Sequence, residues 1–227
     1  MLVLPRITYL NPSQPPKVEY TLRAGVICSS IGWSLSTKLG LSLHDIHHTT
    51  GSVPHYATKM SFSMDRFFSQ ALLPSKPIQR GSWSLGLGKP FFGAPGDKDH
   101  EAKCSVQDPN ITLEDVSLRV DWQTLRRLPV SGAVCFNLKT MFTELADLRG
   151  EKGVPGLVGK LLKEGDREIM KYKGVWHVEH LVIPTMERWE REQRESGVVD
   201  AEWEVGTLEQ APFYEGWEER WEARQRF

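Results

Sequence analysis

Four of the chain's seven histidines, His44, His47, His48 and His55, fall within twelve residues of the stretch LSLHDIHHTTGSVPHY. Imidazole can give a lone pair to haem iron, zinc or copper, and it titrates near neutral pH. The H-x-x-H-H spacing matches none of the helical zinc signatures, which place His at i and i+4 around a Glu. Two readings stay open at this point: one of these histidines is a ligand, or all are loop histidines with one capping a helix end.

A second group lies in LRVDWQTLRRLP, where Arg119, Asp121 and Gln123 alternate with Val120, Trp122 and Thr124. Period two places the three polar residues on one face of a strand. Facing a pocket, Arg119 could hold a carboxylate bidentately and Gln123 could orient a polar ligand. Facing solvent, the same alternation is an ordinary half-exposed strand in which Asp121 pairs with a neighbouring arginine. Arg126 and Arg127, just before Pro129, could likewise be solvated charges. GLGKPFFG has the glycines of a phosphate loop, but Pro90 and the paired phenylalanines prevent the helix start that would aim backbone amides at a phosphate. There is no G-x-S-x-G elbow, so hydrolase chemistry has no support.

These residues need a scaffold. Strands are expected at Val18 to Cys28, around Gly81 to Leu87, at Leu118 to Leu125 and at Gly132 to Leu138. In KMSFSMDRFFSQALL, Met60, Met64, Phe67, Phe68 and Ala71 recur at helical spacing, with Ser61 or Ser63 as N-cap. Residues 88 to 115, rich in Gly, Pro and Asp, read as the longest loop. Lys139 to Leu148, Pro155 to Lys163 and VEHLVIPTMERWEREQRE read as helices. Strands with inserted helices, then helices clustered at the C-terminal end, give an α+β fold with an antiparallel sheet covered on at least one face. Residues 1 to 17, holding four prolines, form an irregular lead-in; residues 18 to 186 form the domain; residues 187 to 227 form an acidic tail in which Trp203, Trp217 and Trp221 favour partial order.

A content of 40% hydrophobic and 25% charged residues is that of a folded globular protein. The net charge of -1 excludes the cationic footprint that nucleic acid or an anionic membrane requires. No apolar run approaches the length of a membrane span, and the N-terminus lacks the basic and apolar regions of a signal peptide, so a cytoplasmic protein is expected. Three cysteines without C-x-x-C spacing indicate neither a disulfide framework nor a zinc site, and Cys28 and Cys135, set in apolar runs, are expected in the core.

Several segments together resemble one family. RAGVICSSIGWSLSTKLGLSLHDIH is similar to its Gly-Val strand, Gly-Trp-Ser turn, Lys-Leu-Gly helix end and Ile-His pair. SVPHYATKM with SMDRFF resembles its Val-Pro-x-Tyr and Asp-Arg-Phe-Phe segments, and RGSWSL its Arg-x-x-Trp strand. LRVDWQTLRRLPVSGAVCFNLKTMFTEL resembles its most distinctive run. The family is the haem-dependent oxidative N-demethylase-like one, whose fungal branch is called the HRQ family.

The resemblance implies a PAS-like antiparallel sheet with packed helices and a helical C-terminal region, a haem b cofactor, and oxidation of a small amine with oxygen. Electrons would come from a separate flavin and iron-sulfur reductase, of which this chain carries no motif. Carried over by position, His47 is the iron ligand, with His48 as the alternative because HTTGS lengthens the link that follows. Arg119, Arg66 and Arg80 become contacts to the haem carboxylates, while Gln123 and Tyr56 shape the catalytic pocket. Relatives have Glu-Arg where this chain has Asp121 and Trp122, and they carry a longer N-terminal segment, so the resemblance implies a truncated member. A non-catalytic haem or small-ligand sensor, or a degenerate member that only folds, are the alternatives to an enzyme.

Overall fold

The computed structural model describes residues 1–8 and 17–205, together with 219 and 223. The chain divides into two compact units, Met1–Ala146 with Asp166–Leu181, and Asp147–Gly165 with Val182–Phe227.

The first unit is built on an antiparallel sheet, and the fold is α+β as the sequence indicates. Its strands are β1 (Leu2–Thr8), β2 (Lys17–Ala24), β4 (Ile78–Leu87), β6 (Val116–Arg127) and β7 (Val134–Glu144), in the order β2-β1-β7-β6-β4. Two short strands, β3 (Ser30–Ile31) and β5 (Phe92–Gly93), pair in parallel beside it. The segment read as an irregular lead-in thus contains a strand: β1 pairs with β2 along its length and with Val134 and Cys135 of β7.

The β6–β7 hairpin is the longest pairing, running from Ser117↔Glu144 to Arg127↔Val134. Pro129 ends the first strand, and Gly132, at φ 66°, supplies the left-handed turn that lets the chain return. The segment Lys139 to Leu148, read as a helix, is instead the second half of β7 followed by a 3-10 turn at Leu145–Gly150. Thr140, Phe142 and Thr143 suit a pleated strand, and the pairing offered by β6 overrides a weak helical period.

The same hairpin corrects the reading of the cysteines. Cys135 alternates with buried Val134 and so points outward, while Cys28 lies beyond the end of β2; both are exposed. An apolar neighbourhood in sequence predicts burial only where the strand face agrees.

Between β2 and β4 the chain forms helical turns at Asp45–Thr49 and Tyr56–Met60, helix α1 (Ser61–Arg66) and a further turn at Phe67–Ala71. The start lies earlier than Ser61 or Ser63. His55 takes a left-handed conformation, φ 59°, and the path is helical from Tyr56. Phe68 and Leu72 pack with Tyr20, Leu43, Leu125 and Val134 as a buried cluster against one end of the sheet. Arg127 is no solvated charge: its guanidinium donates to the Leu72 carbonyl at 2.6 Å, to the Phe68 carbonyl and to the Tyr20 hydroxyl, and so satisfies the open carbonyl end of the helical run.

The loop read over residues 88 to 115 contains β5 and helix α2 (Lys98–Cys104), whose N-cap Asp97 accepts from the amides of Asp99 and His100. Helix α4 (Arg167–Lys173) and the first turns of helix α5 (Trp176–Glu195) complete this unit, with Asp166 capping α4 and Gly174 closing it at φ 63°.

In the second unit helix α3 (Val154–Glu164) starts with Pro155 in its first turn and packs on the later part of α5. A Cβ on Gly159 would stand 3.3 Å from Met186, which shows how closely the two backbones approach. Buried Gln193 ties the chain entering α3, accepting from the Gly153 amide at 2.9 Å and donating to the carbonyls of Arg149 and Glu151. Trp203 lies over Gly153; Trp217 and Trp221 lie outside the described residues.

Replacing Arg127 by Met keeps the aliphatic stem but leaves the carbonyls of Leu72, Phe68 and Gly132 and the Tyr20 hydroxyl without their donor. The expected loss is about 2–3 kcal/mol of unfolding free energy. A urea titration of Arg127→Met checks this; an unchanged midpoint would show that water satisfies those carbonyls.

Candidate functional site

The register of β4, β6 and β7 sorts side chains into cross-strand rows. Arg80 stands opposite Gln123 and Leu138, Ser82 opposite Asp121 and Thr140, Ser84 opposite Arg119 and Phe142, and Gly86 opposite Ser117 and Glu144. All of these lie on the sheet face that carries Ile78, Leu125 and Phe136, where the buried cluster sits. Along that face the chemistry changes from apolar to small and polar. Serine and glycine on β4 cannot fill the space above them, and a cavity of about 1500 Å³ opens there.

His47 stands in the cavity wall beside Leu43, Ile46, Thr50 and Lys38. The turn that carries it is held from both ends. Ser42 and Asp45 bond reciprocally at its start, and Lys38, almost wholly buried, donates to Thr50 Oγ1 at 2.6 Å and to the Ile46 carbonyl at 3.4 Å. Gly51 must be glycine, since a Cβ there would lie 2.4 Å from the Ile46 carbonyl oxygen. His47 Nδ1 meets the Leu43 carbonyl at 2.7 Å, and a carbonyl only accepts, so Nδ1 carries the proton and Nε2 keeps its lone pair. Burial lowers the pKa of His47; the bond to Leu43 opposes this, and the charges of Arg80 and Lys38 lower it further. The imidazole is therefore neutral at pH 7 and is a competent ligand.

Tyr56 does not stand in the cavity wall. It is buried behind His47, its ring stacked on the imidazole at 5.0 Å and 10°, with its hydroxyl on Met64 Sδ. Burial, with the charge of Asp65 adding to it, pushes its phenol up to about 12. His48 is exposed and packs on His44. Of the two adjacent histidines, His47 faces the cavity.

Arg119 lines the cavity with only 12% of its side chain exposed, and its donors are engaged. Nε and Nη2 bond Asp121, Nη1 bonds the Pro90 carbonyl at 3.1 Å, and Nη2 also reaches Ser29 Oγ at 2.9 Å. Thr140 closes the network onto Asp121 at 2.6 Å. Arg119 thus clamps the loops at Ser29 and Pro90 onto the sheet. Gln123 accepts from Arg80 Nε at 2.6 Å, and it is Arg80 that reaches the cavity. The side chain of Arg80 is exposed as a whole, yet its charged end is crowded enough for burial to lower its pKa. Arg66 is exposed at the end of α1 and is not brought to the cavity.

Side chains that the sequence reading passed over close the far end. Lys173 donates to the Trp83 carbonyl at 2.7 Å, with its ammonium 4.7 Å above the Trp83 ring. His177, 4% exposed, lines the same cavity. Neither sits in a motif; only their place at the end of α4 and the start of α5 brings them over β4. Among the described residues, no three His, Cys, Asp or Glu side chains stand together as a metal site.

His47 and His177 have pKa values below the ordinary 6.5, with burial the largest cause. Between its lowered folded pKa and 6.5, each is protonated in the unfolded chain and neutral in the folded one. The stability each confers is complete above pH 6.5 and is lost as the pH falls below it. The urea midpoint of the wild type should therefore fall between pH 7.5 and pH 5.5, and less so in His47→Phe; parallel slopes for the two would refute neutral burial of His47.

A family model described as Haem-dependent oxidative N-demethylase, alpha subunit-like, matches residues 7–183.

Proposed function

Because this chain belongs to the haem-dependent oxidative N-demethylase alpha-subunit-like family, we propose that its cavity holds haem b with His47 as the ligand to iron, in a PAS-like oxidoreductase domain that removes a methyl group from a small amine. The observation that carries this reading is the His47 imidazole: neutral, its Nδ1 proton committed to the Leu43 carbonyl, its other nitrogen free in a cavity of about 1500 Å³. Nδ1 donation to a backbone carbonyl is the kind of outer contact that fixes tautomer and ring orientation in ligating histidines.

The residues present fit the group. The small side chains of Ser82, Ser84 and Gly86 leave room for a macrocycle, and Arg80 supplies a cation to the same cavity for its carboxylates. Arg119 contributes by shaping the wall, since its guanidinium is already held by Asp121 and the backbone. Haem, when bound, supplies the oxygen chemistry, with electrons from a separate flavin and iron-sulfur reductase. The protein's own part is to hold His47 in one tautomer, to shape the cavity and to orient the amine.

A second reading is favoured by the positions of Gln123 and Tyr56. Both were expected to shape catalysis, and both stand behind cavity residues instead of in the wall. A non-catalytic haem or small-ligand sensor would need only the cavity and its ligand.

The test is the absorption spectrum of the purified chain after haem reconstitution, compared with His47→Ala. A sharp Soret band is expected, with haem affinity at least about tenfold weaker in the variant, or ~1.4 kcal/mol. Turnover of dimethylamine with a supplied reductant then separates enzyme from sensor. No specific band in the wild type would overturn the haem assignment.

A further inference from the structure

On the turn that carries His47, two other histidines meet each other outside the cavity. His44 and His48 are four residues apart, and the helical path over residues 43–49 puts them on one side of the turn. Four residues is the spacing at which two side chains of a helix can grip one ion, although this chain has Asp45 where the zinc signatures carry Glu. His48 is exposed and His44 half-buried, so an ion from solvent reaches both. Neither stands in the cavity wall with His47.

The geometry is that of a chelate. Two imidazoles bound to one tetrahedral ion through nitrogens at about 2.0–2.1 Å hold their ring centres roughly 5 Å apart. The ring centres of His44 and His48 are 5.1 Å apart, with the planes tilted at 53°. Imidazole lone pairs lie in the ring plane, so tilted rings can aim them at one point where parallel stacked rings cannot. His44 Nδ1 lies 3.5 Å from Ser61 Oγ. An Nδ1 proton donated to that oxygen leaves the Nε2 lone pair free, and outer contacts of this kind fix the tautomer of ligating histidines. The Asp45 carboxylate, held below the ordinary carboxylate range first by the bond from Ser42, is close enough to His44 for their charges to interact, and it lays negative charge beside the pair.

We infer that His44 and His48 form a two-histidine site for a divalent transition metal of the imidazole-binding class, zinc, nickel or copper, distinct from the cavity and independent of the haem reading. Among the described residues no third His, Cys, Asp or Glu completes a set with them, so water fills the remaining positions and the ion exchanges with solvent. Of the three ions copper binds tightest, while magnesium and calcium, which take oxygen ligands, are refused. The site backs onto the iron ligand's own support: the Tyr56 ring, stacked on His47, lies 5.8 Å from the His44 ring, centre to centre.

The experiment titrates zinc chloride, and separately magnesium chloride, into the full chain free of any histidine tag, by calorimetry, while long-range proton-nitrogen NMR follows the histidine rings. Zinc is expected to saturate at one ion per chain, to shift His44 Nε2 and to raise the melting temperature by mass action; magnesium is expected to do none of these. His44→Gln and His48→Gln should each weaken zinc binding tenfold or more. His48 is exposed, so a loss in His48→Gln at an unchanged metal-free melting temperature is a lost ligand and not a lost fold. His100→Gln, Cys28→Ser and Cys135→Ser, which remove other exposed ligand groups, should bind zinc as the wild type does. Zinc binding that keeps its strength in His48→Gln, that is lost instead with His100 or a cysteine, or that never saturates, overturns the inference. The titration needs no haem, so its outcome stands apart from the haem assignment.

Discussion

Everything at the cavity depends on the strand register of β4, β6 and β7. Side chains alternate across a strand, so the pairing of Ser82 with Asp121 and Thr140 decides that Arg80, Ser84, Gly86 and Arg119 share one face. A slip by one residue would bring Trp83, Val120 and Met141 to that face and fill the space with apolar bulk. The register is held by the core as well: Leu125 and Phe136 belong to the same face at its apolar end, where they pack with Phe68, Leu72 and Tyr20. Core and cavity are one surface of one sheet, divided only by side-chain size and polarity.

Charge follows from that geometry. The polar end of the face carries Arg119 and Asp121 side by side, and partial burial makes an unpaired charge there costly. The structure resolves this by spending the guanidinium on Asp121, Ser29 and the Pro90 carbonyl, which fastens two loops over the sheet. Charged side chains, Arg80 among them, remain in the cavity wall, while His47 is neutral because burial disfavours its protonated form.

The sequence by itself determined the polar alternation of Arg119, Asp121 and Gln123, the histidine-rich turn, most of the strands, the helix at VEHLVIPTMERWEREQRE and, through joint coverage of several short motifs, the family. Local signals suffice for these, because periodicity and motif order are properties of the chain alone. The tertiary structure decided what each polar residue faces. Arg119 and Gln123 share a face, yet one is clamped into the cavity wall and the other is spent on Arg80. Tyr56 backs His47 instead of lining the pocket, and Arg66 and Cys135 point outward. His177, in no motif, stands over Gly86 because α4 and α5 return to the edge of β4. Such facts require two distant segments to meet, and pattern along a chain carries no information about which segments those are. The β1 strand and the second half of β7 were hidden for the same reason, as a strand is completed by hydrogen bonds to a partner that its own residues do not specify.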